Sequence, residues 1–238
     1  MSNTKFLLIL MFAVSKVTSH GYMVYPLARQ RHCYNQHDYN WPLDGSGIKN
    51  EGCRLAYQHV YRRNGRNSAA AQAMFNQNTE YAALAGGRYN NMTHIMNEVV
   101  PHTLCGAGAD KANKQFGDKS GMDIATDKWF LNVLPRDTKN IYFCPTVIHE
   151  PSFFEVYVSK YNNGPLKWSD LQLVYKNKSK LVEKWLKDCN SKKVYVMDNI
   201  KLPKLTTPFV IYVRWQREDI MGEGFYNCAD VIWDRSMT

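Results

Sequence analysis

FVIYVRWQ, residues 209–216, is built of β-branched and aromatic side chains, the composition of a β-strand. Four further stretches share it: IYFCPTVI (141–148), FFEVYVS (153–159), KKVYVMD (192–198) and YNCADVIW (226–233). Several alternate in period two. Short strands separated by turn-rich segments predict a mainly β chain folded as a β-sandwich.

Ahead of these strands the texture changes. Residues 28–127 are rich in Gly, Asn, Ala and polar aromatics. RLAYQHVYRR (54–63) spaces its apolar residues as a helix does. SAAAQAMFNQNTEYAAL (68–84) opens on an alanine run of high helix propensity. This half is expected to form one long helix-containing loop insertion between early strands. Insertions of that length are usually functional. The chain has no internal repeat and no low-complexity linker.

The first twenty residues read MSNTKFLLILMFAVSKVTSH. Lys5 supplies a positive n-region, residues 6–14 an apolar run, and Val17 and Ser19 the small residues of a cleavage site. This pattern predicts a secretory signal peptide over 1–19 and a single mature domain over 20–238. The apolar run is shorter than the roughly 20 residues that cross a bilayer, and no later stretch is apolar enough to do so. The product is expected to be secreted and soluble.

Six cysteines remain: Cys33, Cys53, Cys105, Cys144, Cys189 and Cys228. An even count in a secreted chain predicts three disulfides, with 15 pairings open. No CxxC pair points to a zinc-thiolate site. The formal charge of +9 falls to +7 once Lys5 and Lys16 leave. Lys and Arg are scattered, and KNKSK (176–180) and NSKKV (190–194) read as solvated loops. Neither a nucleic acid nor a membrane is expected as partner. Asn91 and Asn177 stand in glycosylation sequons, which places them at the surface.

Common catalytic signatures are missing. His149-Glu150 lacks the second histidine of H-E-x-x-H, and Gly117–Gly121 has its serine out of place for G-x-S-x-G. Of the seven histidines (20, 32, 37, 59, 94, 102 and 149), His59 fits a helix face, while His32 and His37 sit in a polar stretch beside Cys33. His149 lies between two predicted strands, where a side chain reaches a rim. His20 becomes the first residue if the leader is cut. An N-terminal histidine offers two nitrogens, the ring Nδ1 and an α-amine of pKa about 7.7–8.0 that a metal displaces readily. A second imidazole completes three nitrogens, a donor set that favours Cu(II). His20 plus one further histidine is therefore a candidate copper site.

HGYMVYPLAR (20–29), LCGAG (104–108), Trp129, His149 followed by FFEVYVSK (153–160), and GFYNCADV (224–231) together resemble the lytic polysaccharide monooxygenases of the bacterial chitin-binding-protein type. VVPHTLCGAG (99–108), FGDKSGMD (116–123) and YVRWQR (212–217) are similar to the fusolin (spindlin) branch of insect poxviruses and baculoviruses. The resemblance spans nearly the whole mature chain. It implies an immunoglobulin- or fibronectin-III-like β-sandwich. It also implies one copper ion in a histidine brace, made of the amine and ring of His20 and the ring of His149.

Phe225 matches the aromatic that fills an axial side of the copper. Val147 stands where the family usually has a small alanine. A carboxylate near the metal is implied at Glu80 or at Glu223. The implied disulfides are Cys33–Cys53 and Cys105–Cys228, leaving Cys144–Cys189. The implied reaction is oxidative cleavage of crystalline chitin at the glycosidic C1. It uses an external electron donor and dioxygen or hydrogen peroxide, at a flat surface site where Tyr22 and Tyr81 are candidates to stack on sugars. A chitin-binding module without turnover and a structural protein of viral inclusion bodies are the rival readings. His20, His149 and Phe225 favour catalysis. The chain stops at Thr238, without the C-terminal extension of longer fusolins, which weighs against deposition in inclusion bodies.

Overall fold

A computed structural model describes residues 20–113, 115–160 and 165–236; the predicted signal peptide over 1–19 lies outside them. Among the described residues no helix is long and apolar enough to cross a membrane. The strand at the centre of the fold is β9, Phe209–Arg217, and all nine of its residues are buried. Phe209, Ile211, Val213 and Trp215 enter one apolar core, while Val210 and Tyr212 enter another. A strand covered on both faces needs apolar residues at odd and even positions alike, which explains the unbroken run FVIYVRWQ.

Two sheets form the sandwich. One has the order β1-β4-β8-β7, with β1 Gly21–Tyr25, β4 Ile141–Pro145, β8 Lys193–Met197 and β7 Leu181–Glu183. The other runs β2-β10-β9-β5-β6, with β2 Ala82–Leu84, β10 Glu223–Trp233, β5 Ser152–Lys160 and β6 Gln172–Lys178. Here β3, Leu131–Leu134, adds a parallel pairing to the far end of β10. Between the sheets Trp215 packs on Phe143, Tyr195 and Phe225, with ring centroids 5.1–5.3 Å apart. The expected mainly β sandwich is what the chain forms.

The predicted insertion forms a third layer on the outer face of the larger sheet. It carries α1 Arg29–Asn35, α2 Glu51–Arg63 and α3 Ser68–Asn76. Tyr57, Phe75 and Tyr81 from this layer pack with Tyr212 and Tyr226 of the sheet. On the same face Arg214 is fully buried and pairs with Glu155 at 2.9 Å. The Asn50 side chain accepts from the Cys53 amide at 3.0 Å and caps α2. Asn50→Ala is expected to lower stability by about 1 kcal/mol in urea unfolding, because it orphans that amide.

Three expectations need correction. The helix predicted over 68–84 ends at Asn76, and Ala82–Leu84 pair instead with Phe225–Glu223 of β10. Asn76, Asn78 and Thr79 are poor helix formers, and the small residues that follow fit a short edge strand. KNKSK is not wholly loop: Lys176–Lys178 belong to β6, an exposed edge strand from which Lys176 reaches the buried Glu155 carboxylate at 2.8 Å and Lys178 pairs with Glu218. The strand predicted over 141–148 stops at Pro145, leaving His149 in the β4–β5 connection.

All three implied disulfides are formed: Cys33–Cys53, Cys105–Cys228 and Cys144–Cys189. Asn91 and Asn177 are both exposed.

Candidate metal centre

His20 stands directly before β1. Its main-chain oxygen accepts from the Thr146 amide at 2.8 Å and the Thr146 hydroxyl at 3.0 Å. Thr146 follows β4 and lies three residues before His149, so both histidines sit at the same end of the sandwich. The His149 main chain is fixed by Tyr195, whose hydroxyl accepts from its amide at 3.1 Å and donates to its carbonyl at 3.2 Å. Both rings are partly exposed, at 25% for His20 and 21% for His149.

A carboxylate faces each ring. Glu80 Oε1 lies 2.8 Å from His20 Nε2, and Asp219 Oδ2 lies 3.1 Å from His149 Nε2. Asp219 is itself held by Arg217 at 2.6 Å and by the Gly222 amide at 2.9 Å. Burial alone would raise the Asp219 carboxyl; the Gly222 amide and the Arg217 charge outweigh it and hold it below the usual range. The turn carrying Asp219 is pinned to the insertion, since the Ala85 and Gly86 amides donate to the Gly222 and Met221 carbonyls at 3.0 Å. Gly222 has φ +56°, and a Cβ there would meet the Gly86 oxygen at 2.1 Å, so only glycine fits.

Of the two carboxylates implied near the metal, Glu80 is the one on a histidine ring. Glu223 is buried and paired with Arg217 at 2.8 Å. Phe225 is fully buried, packed on Trp215 and in register with Ala82, two residues beyond Glu80. Val147 is exposed at the rim. Tyr22 and Tyr81 are not surface platforms: they are 2% and 0% exposed. The Tyr22 ring lies under Arg31 and its hydroxyl donates to the Asp188 carbonyl, while Tyr81 donates to Met74. Neither offers a face to a sugar.

The donor chemistry fits a metal. Among the described residues neither Nδ1 of His20 nor that of His149 has a hydrogen-bond partner. Among the same residues no three His, Cys, Asp or Glu side chains are placed to hold a metal. A third donor therefore has to come from elsewhere, and an α-amine at His20 would supply it.

Asp219, Arg217, Tyr195 and Lys119 are the residues that sequence reasoning missed. Lys119 is fully buried beside Glu80. Burial pushes its amine down from 10.5 to about 7, against the opposing pull of the Glu80 carboxylate. Between these two values the unfolded chain binds more protons than the folded one, so stability rises with pH across that window. Urea unfolding at pH 7 and pH 9 is expected to show a gain that Lys119→Met lacks. The difference is bounded by about 1.4 kcal/mol per pH unit.

The profile of a family described as lytic polysaccharide mono-oxygenase, cellulose-degrading, matches residues 20–231. The chain belongs to this family. It is 41% identical to the spindolin of Heliothis armigera entomopoxvirus over 240 residues, 92% of this chain and 68% of the relative. An entomopoxvirus fusolin that crystallises into viral spindles, solved with zinc, superposes with a TM-score of 0.85 at 43% identity. That match covers 92% of this chain and 78% of the fusolin. A monooxygenase of the same kind, important for chitin utilization in Cellvibrio japonicus, gives a TM-score of 0.59 at 25% identity. It covers 90% of this chain and 99% of that one. The monooxygenase family thus carries the sandwich, and the fusolin-type members also share the sequence.

Proposed function

We propose that the chain is a copper-dependent monooxygenase that cleaves crystalline chitin by oxidising the glycosidic C1. What supports this is that the His20 carbonyl is hydrogen-bonded to Thr146, three residues before His149, and that each ring has a carboxylate on Nε2. Once the chain is cut after Ser19, the α-amine and ring of His20 and the ring of His149 would hold the ion. Amine and imidazole donors suit Cu(II), which binds such sites more tightly than Zn(II). Copper, when bound, supplies the activation of dioxygen or hydrogen peroxide.

The chain's own residues do the rest. Glu80 fixes the His20 ring so that Nδ1 is its remaining nitrogen. Tyr195 holds the His149 main chain, and Asp219 faces its ring. Phe225 gives the site a dry apolar floor. In the overall balance, one oxygen of dioxygen enters the C1–H bond of the sugar. The other leaves as water, with two electrons and two protons from an external donor. With hydrogen peroxide no added electrons are needed. The hydroxylated C1 expels the neighbouring sugar, whose oxygen leaves with the C1 hydroxyl proton, and becomes a lactone that a water molecule opens to an aldonic acid.

The test uses protein verified by mass to begin at His20, loaded with Cu(II) and incubated with β-chitin and ascorbate. Aldonic-acid chito-oligosaccharides are expected by mass spectrometry, and their absence overturns the reading. A second reading, a structural protein of viral inclusion bodies, is supported by the spindle-forming relatives. Crystalline bodies built of this chain in infected insect cells would establish it, and it is compatible with the first.

A further inference from the structure

Lys119 has no part in the chemistry above, yet its placement is costly. An amine taken wholly out of water is destabilising unless a partner compensates it, and an apolar side chain of similar size would pack there at less expense. Its Nζ donates to the main-chain oxygen of Glu80 and stands 4.8 Å from the centroid of the Tyr81 ring. The base of the side chain is rigid. The Lys119 amide donates to Ala109 at 2.7 Å, and its carbonyl accepts from Met122 at 3.0 Å. Gly106 packs so closely on the Lys119 carbonyl that a Cβ would come within 2.6 Å of the oxygen.

What Lys119 holds is equally specific. Three successive carbonyls in the segment carrying Glu80 are each tied to a different part of the fold. Thr79 accepts from the Gly21 amide at 3.0 Å, next to His20. Tyr81 accepts from the Tyr226 amide at 2.8 Å, on β10. Between them, Glu80 accepts from Lys119. The outer two ties fix where the segment lies. The middle one fixes the rotation of the peptide that bears the Glu80 side chain, and that side chain reaches His20 Nε2 at 2.8 Å.

We propose that Lys119 is a positioning residue for Glu80: its buried amine holds the Glu80 main-chain oxygen and keeps the carboxylate on His20 Nε2, leaving Nδ1 for the metal. This rests on the metal reading of the site. The test is a double-mutant cycle on protein that begins at His20: wild type, Lys119→Met, Glu80→Gln and the double variant. Two quantities are read, the His20 ring nitrogen shifts of the metal-free protein by NMR and the Cu(II) affinity by calorimetry.

Lys119→Met is expected to move the His20 shifts in the direction that Glu80→Gln moves them, and to weaken Cu(II) binding by about tenfold, the scale of outer partners of metal ligands. In the Glu80→Gln background, adding Lys119→Met should change affinity less than about twofold, because the partner it acts through is already gone. A purely structural role predicts the same loss in both backgrounds and unmoved His20 shifts in folded protein; either result overturns the proposal. Should Lys119→Met not fold, Lys119→Gln, shorter and uncharged, is read by the same criteria. Wild-type protein that binds no Cu(II) would overturn the metal reading, while the metal-free His20 shifts would still decide the link from Lys119 to Glu80.

Discussion

His149→Ala is expected to weaken Cu(II) binding by at least about 100-fold. Loss of a mere outer partner of a metal ligand already costs 10–100-fold, and this substitution removes one of the two imidazoles proposed to hold the ion. The amine and ring of His20 would remain as a single chelate open to competition from buffer. Chitin oxidation should fall with the affinity. The fold should not: the ring is partly exposed, and Asp219 keeps Arg217 and the Gly222 amide as partners. A stability change within about 1 kcal/mol is therefore expected in urea unfolding. Calorimetric titration of Cu(II) into both proteins checks the affinity. Equal affinity would mean that the second nitrogen ligand lies elsewhere.

The sequence singled out that pair of histidines for different reasons. His20 stood out through the cut expected before it, and His149 through its place between two strands. The carboxylates were harder. Glu80 is 60 residues from His20, and its segment is brought beside His20 by long-range ties alone, the Thr79–Gly21 and Tyr81–Tyr226 bonds and the pairing of Ala82–Leu84 with Phe225–Glu223. Local propensity read those same residues as the tail of a helix, because nothing in a short alanine-rich run announces a long-range partner. Tyr22 and Tyr81 failed for a related reason. An aromatic residue looks the same in sequence whether its ring meets a sugar or lies beneath a cation, and burial decided it.

Lys119 and Asp219 carried no signal that could be weighed at all. Each sits in a short turn with other polar residues, where a solvated charge is the usual outcome. By contrast β9 was clear, because burial on both faces writes itself into every position of Phe209–Arg217.

Replacing Cys105 and Cys228 together by serine is expected to cost about 5 kcal/mol, from the chain entropy that a loop of this length returns to the unfolded state. The two cysteines are 123 residues apart in sequence, with Cα atoms at 5.3 Å, and both are buried. The same treatment of Cys33 and Cys53, only 20 residues apart, is expected to cost about 3 kcal/mol. Urea unfolding of the two double variants should therefore separate them by roughly 1.5 kcal/mol or more. Equal losses would show that closure entropy is not what the longer bridge contributes.

The longer bridge also reaches the site. It ties β10 to the loop Leu104–Gly106, and that loop packs on Lys119 through Gly106, while Ala109 takes the Lys119 amide. Loosening it frees the base from which Lys119 reaches Glu80. The Cys105→Ser, Cys228→Ser protein should then lose Cu(II) affinity while still folded at low temperature, and the Cys33→Ser, Cys53→Ser protein should keep it. A stability effect alone would leave the affinity of the folded fraction the same in both.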